Sequence, residues 1–118
     1  MASPYNDSVL NTVKKLLGIP EDYDAFDLDI LLHINTVLAI MQQIGAVKPD
    51  ATVESDETIW SDILKDSAQY NYARSYIVLR VRLLFDPPQS SAVREAIDKS
   101  ISEMEWRLTV TDSALETT

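Results

Sequence analysis

The stretch Ser75 to Ala96 reads SYIVLRVRLLFDPPQSSAVREA, and the paired prolines inside it constrain the fold more than any other feature. Proline lacks a backbone N–H and pushes the residue before it out of helical geometry. The apolar run must therefore end as a helix at Phe85, with Asp86-Pro87-Pro88 forming a stiff corner. The run before the corner fits one helix from about Ser67 to Phe85. After it, Ser90 or Ser91 is placed to cap a helix that should extend to about Leu108. That last helix has a clean seam at three- and four-residue steps: Val93, Ile97, Ile101, Met104 and Leu108.

The upstream half is helical by the same test. A first helix is expected from about Ser8 to Leu17, capped by Asn6 or Asp7. Val9, Val13, Leu16 and Leu17 share one face, and Asn11, Lys14 and Lys15 should face away. The longest helix is expected from about Ala25 to Ile44, with Asp24 as N-cap and Asp27 answering it. Its seam is Phe26, Ile30, Ile34, Val37, Met41 and Ile44, widened by Leu31, Leu38 and Ile40. Leu28, Leu32 and Ala39 lie on the other side, so this helix needs cover on more than one face. Residues 46–56, AVKPDATVESD, read as an exposed loop, and TIWSDILK, Thr58 to Lys65, as a short helix with Ile59, Trp60, Ile63 and Leu64 turned inward. The expected fold is all-α: a small bundle of four main helices plus a short one, in a single domain over residues 1–108. Residues 109–118 are expected to form a polar, flexible tail, with Val110 to Asp112 a weak candidate for an extended arm.

Several chemistries are excluded by what is missing. The only two glycines sit where helices should stop, leaving none for a phosphate-cradling loop. There is no cysteine and a single histidine, so thiolate chemistry and multi-histidine metal sites cannot be built from one chain. His33 follows Asp29 by one helical turn, a spacing that suits a hydrogen-bonded pair at the rim of the seam better than a metal or a hydrolytic site. The acids Glu54, Asp56 and Glu57 fit a solvated loop. No catalytic, cofactor-binding or metal residue is assigned, and no enzyme activity is expected. The start of the chain lacks a signal-peptide pattern and no run is long enough to span a membrane, so a soluble protein made in the cytoplasm is expected. With 19 acidic against 10 basic side chains the formal charge is −9. Such a chain repels free nucleic acid, which binds through counterion release by lysine and arginine. The same acidity serves solubility, and it also suits a wall past which DNA must slide without sticking.

Two surfaces look unusual for a monomer. Arg80 has Tyr76, Ile77, Leu83 and Leu84 as helical neighbours and so sits inside an apolar face. A guanidinium there must either meet a carboxylate or extend its head into water along a packed stem. Arg82 shares a polar strip with Asn71 and Ser75, and Asp86 is one turn ahead as a partner. Behind that strip Val78, Val81 and Phe85 form a second apolar arc. Trp106 lies opposite the seam of the last helix, beside Lys99, Ser102 and Glu103, where a tryptophan is a contact anchor unless another part of the chain folds over it. Arg80, Arg82, Phe85 and Trp106 are the candidate subunit or partner contacts. Together these helices carry more apolar surface than one small chain can bury, which favours assembly.

SYIVLRVRLLFDPPQSSAVREAI followed by EMEWRL resembles the head–tail connector (adaptor) proteins of tailed phages and prophages. VKKLLGI near the start and LLHINTVLAIMQQIG in the long helix resemble the same family. So does the order of short helix, long helix, acidic loop with ETIW, long helix, double proline and final helix. The resemblance covers about Asn6 to Asp112, and the double-proline segment is its specific part. It implies a non-catalytic virion protein at the head–tail neck, made in the host bacterial cytoplasm and without a cofactor. Its implied partners are other copies of itself in a ring, commonly a dodecamer, the portal protein above and the next neck or tail-completion protein below. Genomic DNA would pass through without specific binding, no membrane is involved, and the C-terminal tail would be a docking arm. A second reading from the residues alone is a small acidic helical adaptor or regulator that binds a single protein partner in a groove beside the long helix.

Overall fold

The computed structural model describes the backbone of residues 4–116 and the side chains of residues 5–109. A 3₁₀ turn, Pro4–Asn6, leads into α1 (Val9–Leu16), α2 (Asp27–Gln43) and the short α3 (Trp60–Ile63). A second 3₁₀ turn, Ser67–Gln69, precedes α4 (Tyr70–Phe85), and α5 (Ser91–Glu116) closes the chain. The architecture is the all-α bundle expected from the helical periods. Only isolated antiparallel bridges, Ser8 with Ile59 and Val47 with Leu64, tie extended segments together among the described residues.

Both glycines end helices by the same device. Gly18 and Gly45 have φ of 83° and 76°. Past α1, Ile19 N–H donates to Lys14 C=O and Gly18 N–H to Lys15 C=O; past α2, Ala46 donates to Met41 and Gly45 to Gln42. These paired bonds satisfy carbonyls that a helix end would otherwise leave open. The proline corner behaves as read. Asp86 N–H makes the last bond of α4, to Arg82 C=O at 2.8 Å, and Ser90 caps α5 by accepting from Val93 N–H at 3.3 Å.

The starts of α1 and α2 differ from expectation. Ser8, rather than Asn6 or Asp7, caps α1 by accepting from Asn11 N–H. At α2 the expected cap Asp24 is not used: the helix begins at Asp27 with no side-chain cap. Lys14 departs from expectation as well. Expected to face away, it is 1% exposed, with Nζ donating to Glu21 C=O at 2.9 Å and lying 2.9 Å from Asp27 Oδ1. The Asp27 contact is ionic and is not aligned as a hydrogen bond. Asp27 is thus committed to pinning the 18–26 connection onto α1, and its charge still favours the α2 N-terminus.

The segment after α2 also departs from the reading as an exposed loop. Ala46, Val47, Ala51 and Val53 are buried in the core. The side chain of Asn35 holds the strap as a strand would: its Nδ2 donates to Val53 C=O at 2.9 Å and its Oδ1 accepts from Val53 N–H at 2.8 Å. Gln42 Nε2 adds a bond to Ala51 C=O. Local composition marked the turn formers but could not show which helix side chains would pair with this backbone.

The core joins Val9, Leu10 and Val13 of α1 to Ile30, Ile34, Val37, Leu38 and Met41 of α2, with Trp60, Ile63 and Leu64 below and Ala73, Tyr76, Ile77 and Val81 of α4 across. Trp60 is fully enclosed, its Nε1–H donating to Thr12 Oγ1 and its ring meeting Tyr70 edge-on. The seam expected for α2 holds at its centre and loosens at its ends, where Phe26 is exposed and Ile44 half-buried. α4 is the central helix, packing on α2 along one side and on α5 along another. Its two apolar arcs are therefore both covered within one chain, apart from the exposed Leu84. α5 packs on α4 through Ile97, Ile101, Met104 and Leu108, while Val93 at its start stays exposed. It does not stop near Leu108. The helix continues to Glu116, so the residues read as an extended arm, Val110 to Asp112, are helical, and α5 rather than α2 is the longest helix among the described residues. Thr117 and Thr118 lie outside the described residues.

Candidate assembly interface

The four residues singled out from sequence fall into four different environments. Arg80 is turned toward its own bundle. Its Nη2 donates to Glu105 Oε1 of α5 at 2.6 Å, its Nε donates to Tyr76 Oη at 3.1 Å, and its guanidinium lies over the Tyr76 ring. Both partners of the ion pair keep 32% of their surface, so the two readings of Arg80 combine: paired at one nitrogen, wet at the rest. Burial pulls its pKa down, but the bonds to Glu105 and Tyr76 outweigh this and leave it raised. Burial raises the Tyr76 phenol in turn, against the opposing pull of Arg80.

Arg82 is exposed at the end of α4. No ion pair joins it to Asp86 among the described residues; the two line a shallow hollow with Leu16, Leu17 and Gly18. Phe85 is half-buried, its ring edge-on to Phe26 at 5.2 Å and 6.4 Å from the His33 imidazole. That imidazole forms no hydrogen bond with the exposed Asp29, so the expected pair is replaced by an aromatic contact. No group of three potential metal ligands occurs among the described residues. An open groove of about 600 Å³ beside α1, lined by Asp7, Asn11, Lys15 and Glu21 among others, is remote in sequence from His33 and has no histidine of its own.

Trp106 is 63% exposed on the outer side of α5, so no part of the described chain folds over it. Of the two charged neighbours named from sequence, Glu103 is engaged. Glu103 accepts from Arg107, whose guanidinium also lies over the Tyr72 ring.

The largest departure from a closed surface lies on α2. Leu28 is 84% exposed and Leu32, one turn on, is 64% exposed. The sequence showed that these leucines oppose the seam; the expectation that α2 would be covered on that side fails within one chain. Leu16, Tyr23 and Phe26 are also exposed, the two rings tilted against each other with centroids 5.6 Å apart. Monomeric surfaces scatter single apolar residues, whereas grouped leucines and aromatic rings mark a contact. No helix among the described residues is long and apolar enough to cross a membrane.

Comparison with known proteins bears on what such a surface meets. A family model described as phage connector protein matches residues 9–114. No curated protein and no solved structure gives a match.

Proposed function

The chain belongs to the phage connector protein family, and from that premise we propose that it is a head–tail connector subunit that assembles as a ring beneath the portal. Membership carries a role in connecting phage head to tail, in contact with other head or tail proteins of the particle. The finer reading is a homo-oligomeric ring, a dodecamer matched to the portal, that extends the DNA channel and offers a platform to the next neck or tail-completion protein. The protein works at the neck of the virion as a structural part and not as an enzyme.

The observation that supports assembly is the pair Leu28 and Leu32, 84% and 64% exposed on a helix whose opposite side is buried from Ile30 to Met41. Covering two such leucines contributes roughly 3–5 kcal/mol before the cost of association. The net charge of −9 supports a channel role, since a ring of such subunits repels the phosphate backbone instead of holding it. Residues 109–116, helical and continuous with α5, are available as the arm that reaches the portal.

The test is electron microscopy and mass measurement of the purified chain, alone and mixed with its portal. Rings alone, or rings seated on the portal, support the proposal. A species that stays monomeric in both samples refutes it, and a one-to-one complex without a ring favours the small-adaptor reading.

A further inference from the structure

Residues 51–54 run extended beside α2, and their backbone is satisfied on one edge only. Ala51 and Val53 are buried while Thr52 and Glu54 are exposed, the two-residue alternation of a strand. In an extended chain the N–H and C=O of one residue point to the same edge, and those of its neighbours point to the opposite edge. The edge toward α2 is complete. Val53 N–H donates to Asn35 Oδ1 and Val53 C=O accepts from Asn35 Nδ2, while Ala51 C=O accepts from Gln42 Nε2. The outer edge is bare: the backbone groups of Thr52 and Glu54 make no hydrogen bond among the described residues. An open edge of this kind is a template for one more strand.

The surroundings of the edge select the strand. A shallow hollow of about 460 Å³ adjoins it, lined by Thr52, Glu54, Ser55, Glu57, Thr58 and Asp62, with no lysine or arginine in the lining. Residues 46–66 hold six acids against Lys48 and Lys65, and Lys48 Nζ donates to Ser61 C=O. Across the strap, residues 35–44 of α2 contain no ionisable side chain. Two copies of this edge would set like charges against each other, which disfavours pairing of a copy with itself. Residues 1–8 and 110–118 of the chain carry no lysine or arginine, so neither stretch offers a cationic strand. A segment of another protein that alternates lysine or arginine with β-branched residues meets both needs. Its backbone completes the edge, and its cations meet Glu54 and Glu57.

We propose that residues 52–54 are a β-augmentation site, at which an extended basic segment of another protein adds itself as a strand. The site stands apart from the ring reading above, since neither the exposed leucines nor Trp106 takes part in it.

The probe is a synthetic heptapeptide that alternates lysine with threonine or valine, titrated into the full isotope-labelled chain and followed by backbone amide NMR. The Thr52 and Glu54 amide signals should shift saturably, and their hydrogen exchange should slow at least tenfold at saturating peptide. Two control peptides should bind at least tenfold more weakly: one with glutamate in place of each lysine, and one with methylated backbone nitrogens that cannot donate. Glu54→Pro removes one donor of the bare edge, leaves the Asn35 bonds to Val53 in place, and should abolish binding. Glu54→Lys keeps every backbone group; it should weaken the lysine peptide at least fivefold and strengthen the glutamate peptide. A lysine peptide that leaves the Thr52 and Glu54 amides unmoved would overturn the site. So would a methylated peptide that binds within threefold of the parent peptide, which reduces the contact to charge alone, or a Glu54→Lys chain with unchanged preference. None of these results bears on ring formation with the portal, which the imaging experiment above decides separately.

Discussion

Arg80 and Arg82 are two residues apart in one helix, and the structure assigns them different energetic weights. The sharpest check is a double-mutant cycle on Arg80 and Glu105. Arg80→Met keeps most of the packed stem and removes the guanidinium; Glu105→Gln keeps size and helix propensity and removes the charge. Both groups are about one-third exposed, so solvent screens them and the full low-dielectric attraction does not apply. Fully exposed pairs couple by about 0.2–1 kcal/mol, and well-made hydrogen bonds to charged groups are worth about 1.5–3 kcal/mol. With one short contact and partial burial, a coupling of about 1–1.5 kcal/mol is expected. Arg80→Met alone should cost about 2 kcal/mol, because it also removes the contact with the Tyr76 ring and hydroxyl. Arg82→Met is the control and should stay within about 0.5 kcal/mol of the parent. The assay is urea unfolding followed by tryptophan fluorescence, at protein concentrations low enough to keep the chain monomeric. A coupling below about 0.3 kcal/mol, or equal costs at Arg80 and Arg82, would show that Arg80 merely snorkels and that α5 is not keyed to α4 through it.

Other outcomes follow from the same structure. Asn35→Leu should destabilise by about 2–4 kcal/mol in denaturant unfolding, because it leaves both polar groups of the buried Val53 backbone unsatisfied, and hydrogen exchange should rise first in residues 46–56. Gln69→Met should raise stability by about 1 kcal/mol, since both polar atoms of that buried amide lack a protein partner. Burial raises the Tyr76 pKa above its ordinary value of about 10, so the folded chain holds that proton more tightly than the unfolded one. Its contribution is complete below pH of about 10 and is lost as pH rises toward the folded value; Tyr76→Phe should therefore flatten the alkaline decline in unfolding free energy.

The parts of the fold that depend on short-range rules were readable in the chain. The proline corner, the two glycine stops and the seams of α2 and α5 each follow from chemistry within a turn or two. Trp106 was correctly placed away from the seam for the same reason. Three of the misreadings involve partners distant in sequence. Lys14 looked like a surface lysine because its carboxylate lies across a connection at Asp27. Residues 46–56 looked like an exposed loop because Asn35 and Gln42, which hold them, lie in the preceding helix. Arg80 looked ambiguous because Glu105 is on another helix. The exposed leucines are the inverse case: periodicity showed that they oppose the core, and only the packed structure shows that nothing in this chain covers them.

The central claim is that this protein joins phage heads to tails. Its most direct test is to delete the gene from the phage or prophage that carries it and examine the particles by negative-stain electron microscopy. The account predicts heads and tails that accumulate separately, with joining restored when the wild-type chain is supplied in trans. Intact tailed particles, equal in number to those of the parent, would contradict it.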